Sequence, residues 1–461
     1  MLSKRSEGEV QPGVKWGPFT MRIPLIHLRF SLPDMLQGFA VAGATGLALV
    51  PYFIALLGLS FEEAVVMAMF HSMLISFSWM FFGDPYAPGW LTPAIPFVVA
   101  FITAPAYLGN HVAQFQVMTA LSLNFAFILI FLGVTGLGAK LIKVVPNVLK
   151  GGIILGAAIA AFLRVTKDGD AANVFQSAPI AGTLGVFVCL VFAFSKPLQA
   201  LAANNKGLAK VLGFGLLPGF IVAGVVGLLT GELEYNIRWE LLDVVGASGS
   251  LWGKASPFAI GWPSVGTFMS SFPLALITYI LFFGDVITGN EMIEQAQKSR
   301  SDEKLELNSS RAHMATGIRN VIMGIFAPFF ATQGVLWTGI QVVLLKGWSE
   351  GRAKVDSIFD SIGSFYAFGL PILFICLPLV TLLEPLLPLA LAVTLILTAF
   401  ACATLALSLV EDATERGAMV ITAMAFSVFE PWLGLLVGII TVAALCGFTV
   451  FLPDEEPQAP S

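Results

Sequence analysis

The sequence predicts an all-α polytopic membrane protein, with fourteen transmembrane spans arranged as two inverted seven-span repeats. Three observations predict it. Of 461 residues, 57% are hydrophobic and only 11% are charged, against about 25% charged in a soluble domain. The apolar residues fall in long continuous runs, not in the alternating ten-residue segments of a membrane barrel. The basic residues, once the runs are counted, fall almost entirely on one side. So few charges cannot coat the two or three soluble domains that this length would otherwise make, which excludes a soluble enzyme and a disordered chain. A formal net charge of −5 argues separately against nucleic acid as a partner.

A spanning helix needs about 20 mostly apolar residues, and the chain is read in order on that basis. Residues 1–33 are polar and basic, without the apolar core of a cleavable signal. They are expected in the cytoplasm, with the first span as its own targeting signal. The first repeat, 34–230, holds spans at 34–58, 62–82, 90–104, 115–139, 146–163, 179–199 and 208–230. A loop at 231–267, carrying Glu232, Glu234, Glu240 and Asp243, is expected outside. The second repeat, 268–452, holds spans at 268–289, 314–330, 336–346, 360–383, 385–405, 417–430 and 432–452, and a cytoplasmic tail follows at 453–461. The four cysteines (Cys189, Cys376, Cys402, Cys446) lie singly in apolar runs and read as small packing residues.

Lys and Arg concentrate in cytoplasmic loops. With the N-terminus inside, fourteen spans place 20 of the 24 basic residues on the inner side, from Lys4 and Arg5 through Lys140, Lys143, Arg300, Arg311 and Arg319 to Arg416. Only Arg164, Lys167, Arg238 and Lys254 fall outside. One miscounted span would scramble every later loop. Seven spans per half is an odd number, so the halves enter the membrane in opposite senses, the condition for an inverted repeat.

The two short spans hold the third place in each half. The first reads Ala87-Pro-Gly-Trp-Leu-Thr-Pro-Ala-Ile-Pro-Phe-Val98 and the second Thr332-Gln-Gly-Val-Leu-Trp-Thr-Gly-Ile-Gln-Val-Val343. At an offset of 245, Gly89 matches Gly334, Leu91 matches Leu336, Ile95 matches Ile340 and Val98 matches Val343. Each segment opens on helix-breaking or polar residues and then turns apolar. That predicts an extended stretch followed by a half-helix whose N-terminus presents free N–H groups and a positive dipole end. Irregular backbone at membrane depth survives only when buried in protein or lining a wet cavity. Paired interruptions of this kind point to a transporter binding site.

Span eight contains Asp285, about 17 residues from its start near Phe268 and surrounded by apolar residues. An acid at that depth is a functional-site hypothesis. Thr288 follows on the same face, and together they offer oxygen ligands for Na⁺, or the acid carries a proton. Glu291 and Glu294 lie nearer the cytoplasm, at the start of a polar linker from Gln295 to Ser310 read as a solvated surface. Asp84 is expected to cap the first short span. Thr92 and Thr338 enter the half-helices, Gln333 offers a hydrogen bond and Trp337 a stacking face. His71 reads as a packed, satisfied side chain, and Glu384 and Glu430 as interfacial. No metal cluster and no Ser/His nucleophile pair is evident, so an enzyme is not expected.

Gly284-Asp285 and the run Arg311-Ala-His-Met-Ala-Thr-Gly-Ile-Arg-Asn-Val-Ile-Met-Gly-Ile-Phe326, with its Gly-x₆-Gly, resemble the nucleobase/ascorbate transporter family, typified by uracil permease. Val145-Pro-Asn-Val-Leu-Lys-Gly-Gly152 resembles that family's entry to span five. The SulP anion transporters share the architecture. The resemblance implies a core domain of spans 1–4 and 8–11 and a gate domain of spans 5–7 and 12–14. Substrate would lie between the short segments and span eight. Asp285 matches the span-eight carboxylate. Gly289 stands where nucleobase carriers often have His, and of their span-ten motif only Gly339 remains, with Leu336 and Trp337 in place of the polar pair.

The expected function is secondary active transport of a small polar or anionic solute, nucleobase-like or an anion, driven by H⁺ or Na⁺. The alternative is a SulP-like inorganic anion or carboxylate transporter, or an uncoupled anion channel. The expected site residues are Gly89, Thr92, Asp285, Thr288, Gly289, Gln333, Leu336, Trp337, Thr338 and Gly339. No cofactor beyond the coupling ion, a multi-pass location in the cell membrane and a homodimer through the gate domain complete the expectation.

Overall fold

The computed structural model describes residues 5–38, 43–138, 145–212, 217–368 and 371–451. The expected tail at 453–461 and the basic residues Lys4, Lys140 and Lys143 lie outside the described residues. A small antiparallel hairpin, β1 (Val14–Trp16) and β2 (Phe19–Met21), precedes the helices. The first half contributes α1 (Val50–Leu57), α2 (Phe61–Phe77), α3 (Ile95–Ile102), α4 (His111–Thr135), α5 (Asn147–Thr166), α6 (Pro179–Phe194) and α7 (Leu217–Thr230). The second half contributes α8 (Val244–Ala255), α9 (Val265–Gln297), α10 (Ser309–Phe326), α11 (Thr338–Ser349), α12 (Leu387–Ser408), α13 (Ala413–Val428) and α14 (Pro431–Cys446).

Side-chain caps set several of the helix starts. Ser60 and Glu63 form a reciprocal capping box on α2, and Asn110, Ser264, Asn308 and Asp412 accept from first-turn N–H groups of α4, α9, α10 and α13. Among the described residues, five helices are long and apolar enough to cross a membrane: Phe61–Phe82, His111–Thr135, Asn147–Thr166, Val265–Gln297 and Leu377–Ser408. A sixth appears if the bent pair Pro179–Phe192 and Lys196–Ala202 is one span. The other expected spans hold shorter or interrupted helices. Within the run 34–58, expected as one helix, a short helix at Gly43–Gly46 is followed by a turn at 47–49, and helix restarts at Val50 with Pro51 at its second position, where proline's missing N–H costs nothing.

Helix pairing forms two groups. α4 packs along α9 and α10; α5 packs along α12 and α13, with α14 against α13, and α6 along α7. Small residues make the close approaches. A Cβ on Gly317 would meet the Ile130 side chain at 2.6 Å, and one on Gly152 would meet Thr422 at 2.5 Å. Between apolar helices in lipid, such contact supplies the van der Waals packing that replaces the hydrophobic effect.

At the expected cytoplasmic face, the linker is solvated only in part. α9 continues through Glu294 to Gln297, and beyond it Lys298, Ser299, Ser301, Lys304, Glu306 and Asn308 are exposed while Arg300, Glu303 and Leu305 are buried. Glu303 is fully buried and accepts hydrogen bonds from Trp348 Nε1 (2.6 Å), the Ile358 N–H (3.2 Å) and the Ser357 hydroxyl. Arg5 reaches Asp302 at 3.0 Å and Asp356 at 3.5 Å, and Arg300 reaches Asp302 at 2.7 Å. Arg22 lies 4.0 Å over the Phe359 ring. The N-terminal segment is thereby strapped across the ends of several helices.

Candidate functional site

The two short segments adopt the expected form and meet each other. Each runs extended and then enters a helix, the first through a 3₁₀ turn at Thr92–Ala94 into α3, the second directly into α11. The extended stretches lie antiparallel and exchange backbone hydrogen bonds: Gly334 N–H to Gly89 O at 2.8 Å, Leu91 N–H to Ala331 O at 2.9 Å, and Trp337 N–H to Ala87 O at 2.7 Å. The repeat-matched glycines therefore face each other where the segments cross. A Cβ on Gly334 would sit 2.7 Å from Gly89 O, and a Cβ on Gly89 would sit 2.7 Å from Trp337 Cβ. Only glycine permits that approach.

Side chains meet further polar groups of the crossing, where backbone at membrane depth needs partners. The Gln341 side chain accepts from the Ala87 N–H and lies 3.4 Å from Pro85 O, while the Tyr366 hydroxyl donates to Pro88 O. Asn320 Nδ2 donates to Gln333 O at 3.3 Å. Ala331 holds φ +70° at the turn into the second stretch, a left-handed conformation that strains a residue with a Cβ.

Neither half-helix start has a side-chain cap. Their free donors differ. Pro93 and Pro96 lack N–H groups, so the first half-helix loses donors where the second keeps those of Thr338, Gly339 and Ile340. Thr338 is exposed; the Thr92 hydroxyl turns back to Trp90 O at 3.3 Å.

α9 supplies the facing wall. Gly289 packs on the Tyr86 ring and against Leu336, and a Cβ there would meet the ring at 3.0 Å. Tyr86 in turn donates to Asn290 at 2.5 Å. Asp285 lies one turn before Gly289 on the same helix face. It is half-buried and has no hydrogen-bond or ion-pair partner among the described residues. The Thr288 hydroxyl donates to Gly284 O at 2.9 Å. No group of three or more His, Cys, Asp or Glu suited to a metal ion occurs among the described residues.

Several expected roles are corrected. Asp84 does not cap the first short segment. It is fully buried and paired with Arg311 at 2.8 Å, with the Ser78 hydroxyl donating to it at 3.3 Å. Gln333 faces inward, donating to His71 O at 3.0 Å and accepting from Arg319 at 3.3 Å. Leu336 is buried, and the Trp337 ring meets Phe365 edge-on at 6.2 Å. His71 shares Nε2 with Ala327 O at 2.7 Å, but its Nδ1 has no partner among the described residues. The largest correction is Arg319, counted from sequence as an inner-loop charge. It is fully buried within α10, donating to Thr316 Oγ1 at 2.8 Å and Gly334 O at 2.9 Å. Its neighbours in sequence are mostly small and apolar, and its place inside the expected span 314–330, nearly three turns from the helix start at Ser309, marked it as more than a loop cation.

No protein family matches the chain by sequence, and no curated protein is similar to it. Solved structures share its fold. Two of SLC26A9, one of them the murine solute carrier 26 family member A9 anion transporter in the inward-facing state, each superpose with a TM-score of 0.50 at 14% identity over 91% of this chain. They are matched over 65% and 69% of their own length, so the chain spans about two thirds of them. The transmembrane domain of a cyanobacterium bicarbonate transporter, BicA, is similar at a TM-score of 0.49 and 15% identity, over 90% of this chain and 99% of that one. The chain has the fold of these membrane transporters.

Proposed function

We propose that this protein is a secondary active transporter of a small anion, inorganic or carboxylate, embedded in the cell membrane by fourteen spans with both termini in the cytoplasm. The observation that carries this reading is the crossing itself: two uncapped half-helix starts, held by paired extended strands, with a buried guanidinium bonded to the crossing. Half-helix N-termini pointing at one place favour negative charge. The fold shared with an anion transporter supports the anion alternative over a nucleobase-like solute. So does the absence of a second polar pair, since Leu336 and Trp337 occupy those positions.

Anion contacts come chiefly from the second half-helix, through the N–H groups of Thr338, Gly339 and Ile340. Asp285, with Thr288 beside it, binds H⁺ or Na⁺ and couples that ion to the anion. The group containing α4, α9 and α10 moves as a rigid core against the gate containing α5, α12, α13 and α14, exposing the crossing to each side in turn. Two copies associate through the gate.

Asp285→Asn should abolish uptake against a gradient in proteoliposomes while leaving thermal unfolding near that of the parent, because no partner of Asp285 is lost. Ion-driven accumulation in that variant would remove Asp285 from the mechanism. Anion flux that never exceeds equilibrium in the parent protein would make it a channel or facilitator.

A further inference from the structure

Arg319 is a charge without an acid. Its guanidinium has four contacts with neutral acceptors: Ala315 O at 3.4 Å, Thr316 Oγ1 at 2.8 Å, Gln333 Oε1 at 3.3 Å and Gly334 O at 2.9 Å. No carboxylate lies within ion-pair distance of it among the described residues. The buried acid nearby, Asp84, is committed to Arg311 at 2.8 Å. Asp84, Arg311 and Arg319 are each buried, and the other acid on Arg311, Glu306 at 4.0 Å, is more than half exposed, so the buried groups carry one positive charge that no buried acid among the described residues contacts. A buried unpaired charge is costly, and packing alone would be better served by an apolar residue of similar size. The charge bonds to Gly334, the residue at the crossing, four positions before the free N–H groups of α11. In a water-poor interior its field reaches that place weakly screened.

We infer that Arg319 is the specificity-determining charge of the site: acting through the crossing and without touching the solute, it makes the half-helix cradle prefer anions and prefer them in proportion to their charge. Asp285, unpaired on the facing wall, carries the opposite sign. The crossing thus separates a fixed cation behind it from a titratable or ion-binding acid in front. A solute anion and its coupling cation would be attracted by different residues. This assignment rests on the anion reading above and deepens it.

The test uses the full chain in proteoliposomes, with formate, bicarbonate and sulfate measured as substrates and as competitors of one another. Arg319→Gln keeps a donor toward Gly334 O but removes the charge. Thr316→Asp keeps the acceptor for Arg319 and neutralises it in place, so it serves if Arg319→Gln unfolds. Either variant should raise KM for the monovalent anions about tenfold, equivalent to ~1.4 kcal/mol. Because Coulomb energy scales with ligand charge, sulfate should lose about a hundredfold, with the maximal rate little changed. Arg319→Lys should restore the parent's order of preference. An equal loss for formate and sulfate, or no rescue by lysine, would overturn the assignment, since a merely structural guanidinium weakens every solute alike. Loss of folding in both neutralising variants would overturn it for the same reason. If the parent itself neither transports nor is inhibited by any of the three anions, the anion reading fails, a result distinct from unchanged selectivity in the variants.

Discussion

The smallest features with the largest consequence are two hydrogen atoms. Gly89 and Gly334 carry no Cβ, and each missing carbon would overlap the opposite strand at 2.7 Å. Overpacking of this kind costs ~1–3 kcal/mol where neighbours can shift, and here the neighbours are the Gly89 carbonyl and the Trp337 Cβ, which move only with the backbone. Gly89→Ala or Gly334→Ala should therefore lower the melting temperature by several degrees and reduce transport by more than the stability loss explains. Gly417→Ala provides the control. Nothing lies within 4 Å of its Cβ position on α13, and alanine there should be neutral or stabilising by up to ~1 kcal/mol. Equal effects at Gly89 and Gly417, read by thermal unfolding and uptake, would mean the crossing tolerates separation. The sequence exposed this pair through the 245-residue offset, and the structure brings the two positions together where neither tolerates a Cβ. Arg319 was not exposed in that way, since its role depends on which helix stands behind the crossing.

Among elements, the N-terminal strap shows what a short polar segment does when it finds partners. Arg300, and then Arg5, hold the Asp302 carboxyl at about 2, against partial burial that acts in the other direction. A carboxyl with a depressed folded-state pKa contributes stability above its ordinary value near 3.8. That contribution is lost as pH falls through about 2. The strap should stay docked at pH 5 and loosen progressively between about pH 4 and 2. Hydrogen exchange or limited proteolysis of residues 5–30 would follow it. Asp302→Asn should loosen the strap already at neutral pH and flatten its response to acid. A profile unchanged by that substitution would assign the acid response to another carboxylate. Composition alone made 295–310 look solvated because it is rich in charge. The burial of Arg300 and Glu303 follows from partners contributed by residues 5, 348 and 357–358, which no local window contains.

For the whole molecule, the count of spans decides which face is which. If fourteen spans hold, exposed positions at Ser299 and Thr414 share one side of the membrane and Ser248 lies on the other. Single cysteines at Ser299 and Thr414 should be shielded from a membrane-impermeant maleimide in intact cells and labelled after permeabilisation, whereas Ser248→Cys should label at once. Labelling of Ser299 and Ser248 from the same side would break the inverted repeat. On the mechanism proposed above, Asp285 and the free N–H groups of α11 would open to each side in turn.

The sequence by itself determined that the chain is built of the apolar helices of a membrane protein and that two interrupted segments hold the third place in each half, but not every helix end, since 34–58 is interrupted and α9 runs on to Gln297. Those properties are written in composition, hydropathy and helix-breaking residues, which act locally. It also marked Asp285, because an acid in an apolar run is visible in one dimension. Only the tertiary structure decided that the two segments pair strand to strand at their glycines, that Asp84 belongs to Arg311, and that Arg319 stands unpaired behind the crossing. Those facts depend on groups more than a dozen to over 200 residues apart meeting inside the protein. In a low-dielectric interior, the identity of a charge's partner, not its position in the chain, sets what it does.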